Sequence, residues 1–130
     1  PRNMADEREW FESLDEDGVQ FLVRADGDRV GTISFRQFNE EWGTAELAYF
    51  VHPDHWGNGY ATEAVERMTT YGFDERRLGK VWARVFAFND ASKRVLEKAG
   101  FDHEATLRGQ GFARGERVDL ERFGALADEW

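Results

Sequence analysis

Two glycines in the middle of the chain are the residues best placed to do chemistry. Residues 52–64 read His52-Pro53-Asp54-His55-Trp56-Gly57-Asn58-Gly59-Tyr60-Ala61-Thr62-Glu63-Ala64. Gly57 and Gly59 lack the Cβ that would keep an anion away from the backbone. The apolar run Leu47-Ala48-Tyr49-Phe50-Val51 precedes them, and a segment with helical periodicity follows. A strand, a glycine loop and a helix start together form a device for holding phosphates. The first N–H groups of a helix have no intrahelical acceptor and lie at the positive end of its dipole.

Two common glycine loops do not fit. A P-loop needs Gly-Lys-Ser/Thr, which is absent, and a dinucleotide fingerprint needs Gly or Ala where Thr62 stands. The loop also follows several strands instead of the first. With no cysteine, the chain has no disulfide frame, thiolate metal site or cysteine nucleophile. His52, His55 and His103 are not spaced as a zinc set, so no metal is expected.

The elements that must position the loop follow from periodicity. Residues 6–14 read as a helix with Trp10, Phe11 and Leu14 on one face. Residues 19–24 and 29–38 alternate as strands, with Gly27-Asp28 in the turn between them. Residues 46–51 form a third strand, apolar on both faces and therefore central. The main helix runs over 60–76, with Ala61, Ala64, Val65, Met68 and Gly72 on one face. A strand over 80–86 and a short helix over 91–99, ended by Gly100, come next. Residues 101–107 and 118–125 pair antiparallel across a loop from Gly109 to Gly115. The expected fold is mixed α/β: a mostly antiparallel central sheet flanked by helices, in one domain spanning 1–130.

Net charge is −9, from 26 acidic and 17 basic residues, and only Lys80, Lys93 and Lys98 are lysines. That balance suits either attraction of cationic substrates or a solvated acidic surface in a salty, halophilic cytoplasm. No basic stripe exists to displace counterions, which argues against nucleic acid as a partner. No stretch approaches a membrane span and no signal peptide is visible, so a cytoplasmic location is expected.

Trp56-Gly57-Asn58-Gly59-Tyr60-Ala61 resembles the pyrophosphate-binding signature Gln/Arg-x-x-Gly-x-Gly/Ala of the GCN5-related N-acetyltransferase (GNAT) superfamily. Trp56 takes the Gln/Arg position, as in the ribosomal-protein N-acetyltransferase (RimJ/RimL-type) branch. Downstream, Asn89-Asp90-Ala91-Ser92-Lys93-Arg94-Val95-Leu96-Glu97-Lys98-Ala99-Gly100-Phe101 is similar to the Asn-x-x-Ser…Leu-Glu-Lys-x-Gly-Phe segment of that branch. The stretch from Asp119 to Trp130 is similar to its last strand. The resemblance covers roughly residues 6–130. Family members open with a strand and a helix for which Pro1 to Ala5 leave no room, so the expectation is a chain shortened at its N-terminus or a short natural version.

The resemblance implies acetyl transfer from acetyl-CoA to an amine. Trp56, Gly57, Asn58, Gly59, Tyr60, Ala61 and Thr62 would hold the pyrophosphate. A bulge at Tyr49-Phe50-Val51 would point a backbone N–H at the thioester carbonyl, where negative charge develops. Asn89 would meet the pantetheine amides, and Ser92 would protonate the leaving thiolate; both also suit a helix cap. Glu46, opening the strand beside the thioester, is the candidate base or else a solvated strand-end carboxylate. Base help matters most for a lysine-like amine, neutral in only roughly 0.04% of molecules at pH 7.

Without a cysteine, direct transfer in a ternary complex is expected. The acceptor would be a protein N-terminus, a polyamine or another small amine, and a homodimer is compatible. Gly109-Gln110-Gly111 lacks the carboxylate that some ribosomal-protein enzymes carry there. A non-catalytic acyl-CoA-binding module of the same fold is the alternative, followed by an interaction domain whose glycine loop is only a turn.

Overall fold

The computed structural model describes residues 10–15 and 18–130, with side chains from residue 19 onward. Seven strands form one sheet: β1 (Trp10–Asp15), β2 (Gly18–Ala25), β3 (Asp28–Asn39), β4 (Thr44–Val51), β5 (Lys80–Phe86), β6 (Asp102–Ala113) and β7 (Glu116–Leu126). Their spatial order is β1-β2-β3-β4-β5-β7-β6. Only the β4–β5 pair is parallel. The mixed, mostly antiparallel sheet is the one the sequence leads to, and β4 lies at its centre.

Helices α1 (Tyr60–Asp74) and α2 (Asp90–Ala99) cover one face. The core under them takes alternate residues from each strand: Ile33 and Phe35, Ala45 and Leu47, Val81 and Ala83, Phe123 and Ala125. Ala64, Val65 and Met68 of α1, with Leu96 and Ala99 of α2, close on these side chains. The opposite face carries Ser34 and Arg36, Glu46 and Ala48, Trp82 and Arg84, and Arg122. No described helix packs on that face.

Two expectations need correction. The segment expected as a helix over 6–14 is a strand where it is described. Trp10–Asp15 pairs antiparallel with β2, from Trp10↔Val23 to Asp15↔Gly18, and residues 6–9 lie outside the described residues. Pairing with an available sheet edge overrides a short apolar spacing that fits both periods.

The Gly109–Gly115 loop is instead strand. β6 continues to Ala113, and only Arg114 and Gly115 turn, both at positive φ (55° and 78°) as a two-residue hairpin requires. The ladder shifts register between Leu107 and Gly111, so the glycines mark a bulge inside the strand.

Gly72 sets how closely α1 approaches the sheet. A Cβ there would lie 2.7 Å and 2.9 Å from the buried Phe35 ring and 3.1 Å from Leu78 Cδ1. Overpacking a rigid core costs about 1–3 kcal/mol, whereas Gly→Ala in a helix gains about 1 kcal/mol. Gly72→Ala is therefore expected to destabilise by about 1 kcal/mol, read as a lower urea midpoint with an unchanged slope. An increase in midpoint would refute the close-approach argument.

Candidate active site

The loop after β4 begins with a 3-10 turn over Pro53–His55 and ends at Gly59, the N-cap of α1. Gly57 and Gly59 both take left-handed conformations (φ 85° and 77°). A Cβ at either would meet nothing within 4 Å, so the glycines front open space that a ligand can enter. Gly59 supplies no side-chain cap, and the first helical bond is Glu63 N–H to Gly59 O at 3.1 Å. The first-turn N–H groups of Ala61 and Thr62 thus lie ahead of the helical ladder, at the positive end of the dipole. An anionic pyrophosphate fits this cradle without basic side chains.

Trp56 and Asn58 hold the loop in place. The Trp56 indole N–H donates to Val51 O at 2.7 Å, while its ring stays exposed. Asn58 Nδ2 donates to His55 O at 3.0 Å. His52 and His55 sit at the turn, where the His52 ring accepts from Asp54 N–H at 3.3 Å. That is a structural task.

β4 and β5 pair only at Thr44↔Lys80, Ala45↔Val81 and Glu46↔Trp82. Beyond that point β4 stays on β3 and β5 stays on β7, so the sheet parts into two halves. His52 N–H donates to Val30 O of β3 at 2.7 Å. Backbone groups alternate along a strand, so those of Leu47, Tyr49 and Val51 face the gap and those of Phe50 face β3. The bulge expected at Tyr49–Val51 is absent: β3–β4 pairing runs without a shift from Gly31↔Val51 to Arg36↔Glu46. The parted edge, not a bulge, leaves the Tyr49 and Val51 N–H groups facing outward. Phe50 contributes only an exposed side chain on the helix-free face.

The gap opens into a cleft of about 470 Å³ that passes through the sheet. Tyr49, Asn89 and Ser92 line its helix side, and Arg36, Glu46 and Arg84 its other side. Asn89 caps α2, its Oδ1 accepting from Ser92 N–H at 3.1 Å, which leaves the amide NH2 for the cleft. The Tyr49 hydroxyl donates to Ser92 O at 3.4 Å, tying β4 to the first turn of α2. Burial pushes the Tyr49 phenol above its ordinary range, and its hydrogen bond at Ser92 offsets part of that. It therefore remains a proton donor at neutral pH.

Glu46 is not a solvated strand-end carboxylate; it is 1% exposed. Its Oε2 accepts from Arg84 Nε at 2.8 Å. Its Oε1 accepts from Arg84 Nη2 at 3.2 Å, Arg36 Nε at 3.2 Å and Gln37 Nε2 at 3.3 Å. Gln37 adopts a left-handed φ of 53°, within the register shift between Arg36 and Asn39. The expected general base is thus a carboxylate with both oxygens already engaged.

The sequence points to Tyr49 only as a backbone donor; its phenol, and the side chains of Arg36 and Arg84, enter the site only in the folded chain. Cross-strand register brings them together, and alternation within one strand does not contain it. Phe86, Gly111, Phe112 and Leu120 complete the cleft from β5, β6 and β7.

A mixed sheet parted at its centre, with an anion cradle where the gap ends, is the acyltransferase class of fold. The acetyltransferase (GNAT) domain matches residues 1–102, and the chain belongs to this family. It is 33% identical over 109 residues to the uncharacterized N-acetyltransferase p20 of Bacillus licheniformis, covering 84% of this chain and 61% of that protein. It is 38% identical over 97 residues to the uncharacterized N-acetyltransferase YoaA of Bacillus subtilis, covering 75% and 55%. The chain thus spans somewhat more than half the length of these relatives. Among solved structures it is similar to the spermidine N-acetyltransferase of Vibrio cholerae in complex with CoA and spermine. There the TM-score is 0.83 at 25% identity, covering 88% of this chain and 69% of that one.

A raised phenol pKa contributes stability that is complete below the unfolded value of about 10 and is lost as pH rises through the folded value. Tyr49→Phe removes this dependence and one hydrogen bond worth about 1 kcal/mol. The stability of the unsubstituted chain is expected to fall more steeply above about pH 10 than that of the variant. Parallel pH profiles would refute the assignment.

Proposed function

We propose that the chain moves an acetyl group from acetyl-CoA to a primary amine by direct attack in a ternary complex. One observation carries the reading: the gap between β4 and β5 ends at an uncapped helix start fronted by two open glycines. The long arm of CoA needs that combination, with strand-edge partners for its pantetheine amides and N–H groups for its pyrophosphate. The CoA complex of the Vibrio cholerae relative supports it.

Acetyl-CoA, when bound, supplies an activated acyl group. Trp56, Gly57, Asn58, Gly59, Tyr60, Ala61 and Thr62 form the pyrophosphate cradle, with Trp56 fixing the loop to the end of β4. The Tyr49 and Val51 N–H groups point where negative charge develops on the thioester oxygen. The Asn89 amide serves the pantetheine. Tyr49 Oη and the Ser92 hydroxyl hold the proton that the leaving thiolate takes. Glu46 orients Arg36 and Arg84 and is a positioning residue, in place of the base expected from sequence. The acceptor is a small amine, a polyamine or a protein N-terminus.

The engaged carboxylate of Glu46 also favours a second reading, acyl-CoA binding without transfer. Calorimetric titration and turnover assays separate the two. Acetyl-CoA is expected to bind, and Gly59→Trp, which fills the cradle, to abolish binding. Ser92→Ala and Tyr49→Phe are expected to lower kcat on the order of a hundredfold while leaving acetyl-CoA affinity intact. Binding without turnover on any amine would leave only the second reading. No binding by the folded chain would overturn both.

A further inference from the structure

The cleft's helix-free side is basic, although the chain as a whole carries −9. Arg84 and Arg122 are directly paired across β5 and β7 and share one face of the sheet. Like charges directly opposite each other destabilise a sheet. Two features hold this pair in place. Both guanidinium groups lie over the Trp82 ring, Arg122 Cζ 3.9 Å and Arg84 Cζ 5.4 Å from its centroid. Glu46 binds Arg84 bidentately and draws in Arg36.

Two guanidinium groups therefore share one carboxylate and Arg122 stands cross-strand from Arg84, leaving two positive charges in surplus on this face. Among the described residues no carboxylate lies within ion-pair distance of Arg122. The nearby Lys80–Glu104 pair at 2.8 Å compensates itself. Arg84 spends Nε and Nη2 on Glu46, and Arg36 spends only Nε, with its side chain 54% exposed. Donors thus remain on Arg36 and Arg84, which line the cleft, and on Arg122, which stands cross-strand from Arg84 next to the lining. Arg36 and Arg84 line the same cavity as Tyr49 and Ser92, so a group held by these donors lies within one small molecule's reach of the thioester position.

We infer that the acceptor is an amine carrying a carboxylate, held by Arg36, Arg84 and Arg122, and not a polyamine. This rests on the acetyl-transfer reading and names its substrate class. A guanidinium binds a carboxylate with matched, charge-assisted hydrogen bonds, whereas a polycation in the same place meets a like-charged wall. The field inside the cleft, not the charge of the whole surface, selects what enters.

The test compares the dipeptide amide Asp-Ala-NH2 with its isostere Asn-Ala-NH2 and with spermidine, by calorimetry on the chain with and without saturating CoA. The aspartyl peptide is expected to bind about tenfold or more tightly than the asparaginyl one. Arg122→Gln should erase that preference and Arg122→Lys should restore part of it, both without changing CoA affinity. Raising KCl from about 0.1 M to about 1 M, which shortens the screening length from about 10 Å to about 3 Å, should shrink it. Equal binding of the two peptides overturns the inference. So does tighter binding of spermidine, an unaltered preference in Arg122→Gln, or no peptide binding by a chain that binds CoA. In each of those cases the acetyl-transfer reading stands. Loss of CoA binding in the folded chain overturns that reading, and the acceptor assignment with it.

Discussion

The parting of β4 from β5 is the constraint on which the rest of the molecule depends. A parallel pair in mid-sheet would ordinarily satisfy every backbone group along its length. Here it does so for three residue pairs and then stops. The unpaired edges beyond Glu46 and Trp82 would cost stability if buried dry, because strand N–H and C=O groups need partners. They line a cleft instead, open to water or to a ligand able to take the place of a strand. The indole of Trp56 satisfies one of these groups, Val51 O, and the gap closes at the glycine loop.

The core that holds the two halves apart lies wholly on the helix side. β1–β4 form one half-sheet and β5, β7 and β6 the other. α1 bridges them by burying Ala64, Val65 and Met68 against strands of both. Gly72 lets that helix sit against the Phe35 ring, so its N-terminus is delivered to the end of the gap. α2 does the same for the second wall: its Asn89 cap and the Tyr49–Ser92 hydrogen bond fix its first turn across the cleft from β4. The cradle and the cleft are thus consequences of how two helices pack on a split sheet.

On the other side, charge plays the part that apolar packing plays on the first. Glu46 is buried because three side chains donate to it. A buried carboxylate without such donors would be costly to keep. Gln37 takes an unfavourable left-handed backbone to be one of them, an instance of local strain at a polar cluster beside the cleft. The arrangement leaves positive charge facing the cavity of a strongly acidic protein, so local and global electrostatics differ in sign.

Much of this was legible in the sequence because it is local. Alternation located β2 and β3, an apolar run located β4, helical spacing located α1, and two glycines before an amphipathic helix marked the cradle. Those signals arise within a dozen residues, where backbone geometry translates directly into residue choice. The N-terminal strand was misread because Trp10, Phe11 and Leu14 fit a helical spacing and only the neighbouring edge of β2 decides otherwise. The glycines from Gly109 to Gly115 suggested a loop because a bulged strand and a loop share their composition. The engagement of Glu46 could not be read at all. Arg36 is 10 residues away and Arg84 is 38, and they reach one carboxylate only through the registers of β3, β4 and β5. The sequence by itself determined the two helices, the inner strands, the glycine loop and the family resemblance. The tertiary structure decided where the sheet parts and which charges face the opening, because register and strand separation are set by packing between distant segments.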